Sequence, residues 1–182
     1  MRHWHLLAPY VPLAALLVWA AVADARTRRI RNWLTLSLAA TGFAQSWFAA
    51  GTVGPGGSVL GLLAGGGLLI VPFALGALGG GDVKLLAGIG AWLGPVLVFQ
   101  VFLAESVIGL GIVLAQATAA GKLRRLVRNS AAMAVDLAHV NVLGADHAEQ
   151  VGRQLTSIDR PLPYAVPTLA AAAVVVWANV MG

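Results

Sequence analysis

The sequence predicts an all-α integral membrane protein with six transmembrane helices, the fourth short, and a cytoplasmic amphipathic segment lying at the interface between the fifth and sixth. Three observations predict it. Hydrophobic residues make up 59% of the 182 residues and charged residues 10%, with a mean hydropathy of +0.82, which leaves too little polar surface to coat a soluble globule. The apolar residues fall into runs near the roughly 20 residues that cross a hydrocarbon core of about 30 Å. Lys and Arg cluster between those runs, so the net charge of +5 reports topology and not a nucleic-acid surface.

Five runs are long enough to cross: residues 6–23, 33–50, 57–78, 96–119 and 162–181, the shorter ones helped by tilt or snorkelling. Run 83–94 has only twelve residues, about 18 Å of helix at 1.5 Å per residue. It either crosses through a locally thin bilayer or turns back. If all six runs cross, eleven of the twelve basic residues share one side and only Arg2 lies opposite. If the short run turns back, Lys122, Arg124, Arg125, Arg128, Arg153 and Arg160 face away from the first loop, against the positive-inside tendency. The expectation is therefore one polytopic domain over residues 1–182, with six crossings and both termini outside the cytoplasm.

In segment 121–160, Leu123, Leu126, Val127, Ala131, Ala134, Leu137 and Ala138 recur at helical spacing behind a basic cluster of Lys122, Arg124, Arg125 and Arg128. That reads as a helix on the anionic cytoplasmic leaflet, with a solvated basic loop as the alternative for its second half. Glycines at four-residue spacing (Gly57, Gly61, Gly65) mark close helix packing.

The chemistry points to carboxylates. With no cysteine there is no disulfide framework and no thiolate metal site. Asp24 ends the first run and Asp82 follows Gly79-Gly80-Gly81. A carboxylate at a membrane span is costly. Two spans separate these residues, so under the six-crossing topology both reach the cytoplasmic face at one depth and can meet. Taken singly, each could be a helix-end charge, Asp24 balanced by Arg26 or Arg28 and Asp82 by Lys84. The glycines let the chain take positive φ or let another backbone lie against it, just before a carboxylate favoured at a helix N-terminus; a plain turn also uses glycine. Two facing carboxylates cannot both ionise easily, so they share a proton. The ionised member can deprotonate a water while the protonated one polarises a carbonyl and later serves the leaving amine, as in aspartyl proteolysis.

Asp24 followed by Arg28, Ile30, Arg31 and Asn32, then Gly79-Gly80-Gly81-Asp82-Val83-Lys84-Leu85-Leu86, and finally Leu162-Pro163-Tyr164-Ala165-Val166-Pro167, resembles the type IV prepilin peptidases. Within them it is most similar to the short forms serving tight-adherence (Flp-type) pili. The resemblance implies that Asp24 and Asp82 are the catalytic aspartates and Gly79 and Gly81 the signature glycines. It further implies a bacterial inner-membrane enzyme that cuts the short basic leader of a prepilin at the cytoplasmic face. Bifunctional members also methylate the new N-terminus and carry an insertion with paired cysteines; this chain has no cysteine and a first loop of about eight residues, which implies peptidase activity without zinc or another cofactor, while methylation does not follow from the resemblance. Where the family usually has proline before the Asn after the first aspartate, this chain has Arg31. Proline would preset φ there.

Other polar residues carry weaker expectations. Glu105, mid-run near Gln100 and Ser106, could bond to the site, pair with Lys84 or serve as a packing contact, and its depth in the fifth run sets it well away from the cytoplasmic face. Lys84 could act on Asp82 or snorkel to lipid phosphate. Pro163 and Pro167 leave carbonyls unpaired at the start of the last span, a loosened end that could admit substrate or water. His3, His5, His139 and His147 have no metal-ligand spacing and no His-Glu-x-x-His occurs. Ser58 has no histidine partner in any span, which argues against a serine protease. A different class, a small proton- or cation-coupled carrier using the same acids, is weakened by the lack of an evident inverted repeat.

Overall fold

The computed structural model describes residues 7–48, 53–74, 78–138 and 163–181. Among these there are helices and no strands. A single 3₁₀ turn, Ala8–Tyr10, leads into α1 (Val11–Thr27), followed by α2 (Asn32–Gln45), α3 (Pro55–Ala74), α4 (Gly80–Ala119), α5 (Leu123–Ala138) and α6 (Ala165–Met181). Among the described residues three stretches are long and apolar enough to cross a membrane: Ala8–Thr27, Pro55–Ala74 and Gly80–Ala119. α6, at 17 residues, is apolar but shorter, and α2 has 14. Many large apolar side chains point outward, among them Trp19, Leu36, Trp47, Phe48 and Val107. Helices that are apolar on all sides suit a lipid surrounding.

The expected fourth and fifth runs form one element. α4 begins at Gly80 and continues through Gly94, whose φ of 80° and ψ of 175° break the helix ahead of Pro95. In a straight helix Asp82 and Glu105 would lie about 34 Å apart. Instead Tyr164 hydrogen-bonds Glu105 and lines a pocket together with Asp82. The chain therefore folds back sharply at Gly94, and the two arms, 80–93 and 95–119, bring their acidic residues to a similar level.

A break of this kind frees backbone acceptors, because Pro95 has no N–H for the carbonyl four residues earlier. Side chains of other helices bond the Ala91 carbonyl, which Pro95 leaves without its helical donor, and the neighbouring Trp92 carbonyl. Ser58 Oγ donates to the Ala91 carbonyl at 2.8 Å, and Gln45 Nε2 to the Trp92 carbonyl at 3.4 Å. Trp92 Nε1 in turn donates to the Leu38 carbonyl at 3.0 Å. Ser58 is thus a structural pin.

The first arm of α4 is the centre of the molecule. Leu85, Leu86, Ile89 and Leu93 are buried among Leu34, Leu38, Leu69, Val98 and Val101. α3 reaches it through glycine: a Cβ on Gly61 would overlap the Gly90 carbonyl oxygen, and one on Gly65 the Leu86 carbonyl oxygen. The third member of the pattern, Gly57, meets only Val53. α6 packs on α4 and α1, which places its first turn between the end of α1 and the start of α4.

The long second arm ends in a Schellman-type cap. Gly121 has φ 65°, the Lys122 N–H bonds the Ala117 carbonyl at 2.8 Å, and the Gly121 N–H bonds that of Thr118 at 3.0 Å. α5 follows at once and is strongly amphipathic, with Leu123 and Val127 exposed. Residues 139–160, the second half of the segment expected at the interface, lie outside the described residues, as do all four histidines.

Candidate active site

Asp24 comes from the last turn of α1. A carboxylate there opposes the helix dipole and is buried, at 6% exposure, so its environment must compensate. α1 stops three residues later because Arg28 adopts a left-handed conformation, φ 54°, with its N–H on the Asp24 carbonyl at 2.8 Å. Thr27 Oγ1 occupies the Ala23 carbonyl. The carboxylate turns toward α6 and accepts the Ala165 N–H on Oδ2 at 3.0 Å. That amide belongs to the first turn of α6, a group with no intrahelical partner.

Asp82 comes from the first turn of α4, where the dipole favours it. Its Oδ2 accepts the Gly79 N–H at 3.0 Å, and its own N–H bonds the Gly79 carbonyl at 3.1 Å, a reciprocal cap. Each aspartate thus has one oxygen fixed by a backbone amide and the other with no hydrogen bond among the described residues.

The two acids line one pocket of about 410 Å³ with Arg28, Arg29, Ile30, Gly79, Gly81, Pro163 and Tyr164. The glycines meet a need different from turning: none of Gly79, Gly80 and Gly81 has positive φ. A Cβ at Gly81 would come within 3.2 Å of Ile30 Cβ. Gly81 therefore lets the loop after Asp24 lie against the start of α4, and this close approach draws the two acid-bearing ends together. Arg31 has φ −72°, within the range proline would impose, so its loop keeps that backbone shape without proline.

Two expectations are corrected, and for Lys84 one of two open readings falls away. Glu105 is not remote from the pair: the fold-back at Gly94 carries it to Tyr164, whose hydroxyl donates to Glu105 Oε1. Lys84 faces neither acid, since Nζ donates to Asn32 Oδ1 at 3.0 Å beside a separate, largely apolar pocket. The Pro163 carbonyl is not unpaired, because where Pro167 offers no N–H, the Val166 N–H bonds it at 3.3 Å. Pro163 itself lines the acid pocket and Pro167 is buried behind it. Sequence reasoning missed Tyr164 and the Ala165 amide; the available signal was a tyrosine set between two prolines at the edge of an apolar span. Among the described residues no cluster of three His, Cys, Asp or Glu could hold a metal ion.

The model of the type IV leader peptidase family matches residues 11–114, more than half of the chain and inclusive of both aspartates. The chain belongs to the type IV leader peptidase family. The peptidase is thus a hydrolase of a family whose substrates are prepilins. No curated protein and no solved structure matches it. The match ends ahead of α6, so the helix supplying Tyr164 and the Ala165 amide to the peptidase pocket lies beyond the matched region.

Proposed function

We propose that this chain is a membrane aspartyl endopeptidase that removes the short basic leader from type IV prepilins of the Flp kind, with Asp24 and Asp82 as its catalytic acids. One observation carries the reading: both carboxylates line a single pocket, each with one oxygen held by a backbone amide and the other free for substrate or water. A pair sharing one proton supplies a base and an acid together. The ionised member takes a proton from the water as its oxygen attacks the scissile carbonyl carbon. The protonated member gives its proton to the carbonyl oxygen, forming a neutral tetrahedral diol. As the C–N bond breaks, the proton taken from the water passes to the leaving amine, and one hydroxyl proton returns to the pair as the new carboxyl forms. No metal or cofactor enters this sequence.

The setting follows from charge and fold. Six crossings place eleven of the twelve basic residues on one side, and the sharp return at Gly94 supports a short fourth span that crosses and comes back. The acids then open toward the cytoplasm of a bacterial inner membrane, the termini lie outside, and residues 1–182 act as one domain. α5 rests its apolar face on anionic lipid through Lys122, Arg124, Arg125 and Arg128. Gly79 and Gly81 shape the approach of the two acids, and Lys84 serves the membrane edge rather than the chemistry.

The test is co-expression with a Flp-type prepilin in bacterial membranes. Wild type should convert precursor to the shorter mature form, and Asp82→Asn, present at wild-type level, should leave it uncut. Conversion by Asp82→Asn at the wild-type rate would sink the assignment.

A further inference from the structure

The buried carboxyl of Glu105 has no part in the chemistry above. It is 4% exposed, and Oε2 is buried without a hydrogen-bond partner among the described residues. Thr168 lies beside it but gives its hydroxyl proton to the Tyr164 carbonyl at 2.9 Å. Burying a carboxyl in this way is costly, and such a group in a native fold asks for an explanation. Its Oε1 accepts the Tyr164 hydroxyl. Tyr164 is also a wall of the acid pocket, and the next residue supplies the amide that holds Asp24.

We propose that Glu105 and Tyr164 form a strut that positions Asp24 for catalysis: the Glu105–Tyr164 bond sets the first turn of α6, and the Ala165 amide transmits that setting to Asp24 Oδ2. The proposal rests on the reading of Asp24 as a catalytic acid. Its physical content is that both acids become referenced to one element. Asp82 is capped at the head of α4, while Asp24, carried by α1, is tied through α6 to the second arm of that same helix. The fold-back at Gly94 makes this possible, because only then does residue 105 stand level with residue 82. Within α6 the Tyr164 carbonyl is held by the Thr168 hydroxyl at 2.9 Å and by the Thr168 N–H at 3.4 Å, so it is the Glu105 bond that ties this turn to α4. Neither Glu105 nor the Tyr164 hydroxyl touches the reacting atoms in this scheme; they are positioning groups.

A displacement of the reacting group by about 1 Å costs on the order of 100-fold in rate, so loss of the strut should lower kcat by about 10- to 100-fold. The experiment measures kcat and KM for prepilin cleavage by the purified full-length enzyme, normalised to folded protein. Tyr164→Phe and Glu105→Ala should each lower kcat with KM within about threefold of wild type. Their double variant should be no slower than the slower single one, because both break the same link. Glu105→Gln keeps an acceptor for the tyrosine hydroxyl and should retain wild-type kcat. Folded Tyr164→Phe with unchanged kcat would overturn the strut, as would a tenfold loss in Glu105→Gln, which would give the carboxyl a role of its own. Failure of Tyr164→Phe to fold would also overturn it, making the pair a folding contact. Asp24→Asn, run alongside, separates the two ideas: if it cleaves at the wild-type rate, the reading of Asp24 itself has failed, whatever the strut variants do.

Discussion

Asparagine and alanine at position 24 should separate what Asp24 does for chemistry from what it does for the fold. Its Oδ2 accepts the buried Ala165 N–H at 3.0 Å. In Asp24→Asn the side-chain carbonyl can take that same bond, so the amide stays satisfied while the group can no longer exchange a proton. In Asp24→Ala the acceptor is gone and an N–H is stranded at a buried position, a loss of about 1–3 kcal/mol in stability. Removal of a general acid or base costs about 10²–10⁴ in rate, or roughly 2.7–5.4 kcal/mol of barrier at 1.36 kcal/mol per decade. Prepilin cleavage by purified enzyme, read beside thermal unfolding in detergent, should thus show both variants at or below about 1% of wild-type kcat. Only Asp24→Ala should unfold early. Asp24→Asn retaining a tenth of the wild-type rate would refute the catalytic argument, and an Asp24→Ala protein as stable as wild type would refute the structural one.

Gly61→Val should destabilise the fold by about 1–3 kcal/mol through overpacking, since its Cβ would strike the Gly90 carbonyl oxygen and the Gly94 Cα, which are backbone and cannot swing aside; chemical denaturation checks this, and wild-type stability would mean that α3 and α4 do not touch there. Ser58→Ala leaves the Ala91 carbonyl beside the break in α4 without its donor, so stability should fall by about 1–3 kcal/mol while cleavage per folded molecule is unchanged. Arg31→Pro should raise stability by about 0.4–1 kcal/mol, because φ is already −72° and proline narrows the unfolded ensemble; a fall in melting temperature would count against that account.

The sequence by itself determined the class of molecule and singled out two acids that the fold brings to one pocket. Composition and run length decide whether a chain can live in lipid, because burial of apolar surface and satisfaction of backbone groups are local requirements. Asp24 and Asp82 stood out for the same reason, as charges whose cost is set by the apolar residues around them. The spacing of Gly61 and Gly65 announced close packing because a missing Cβ is visible in sequence. What only the tertiary structure decided was depth and partnership. Residue 105 is 23 positions from residue 82, and counting along a helix separates them by about 34 Å; the single torsional break at Gly94 reverses the path and cancels that distance. Likewise the Ala165 amide reaches Asp24 across 141 residues, Lys84 turns to Asn32, and Gly81 proves to matter for its contact with Ile30. Periodicity records which face of a helix is apolar. It does not record the angle at a kink or which helix end stands beside another, and those are set by packing among residues far apart in the chain.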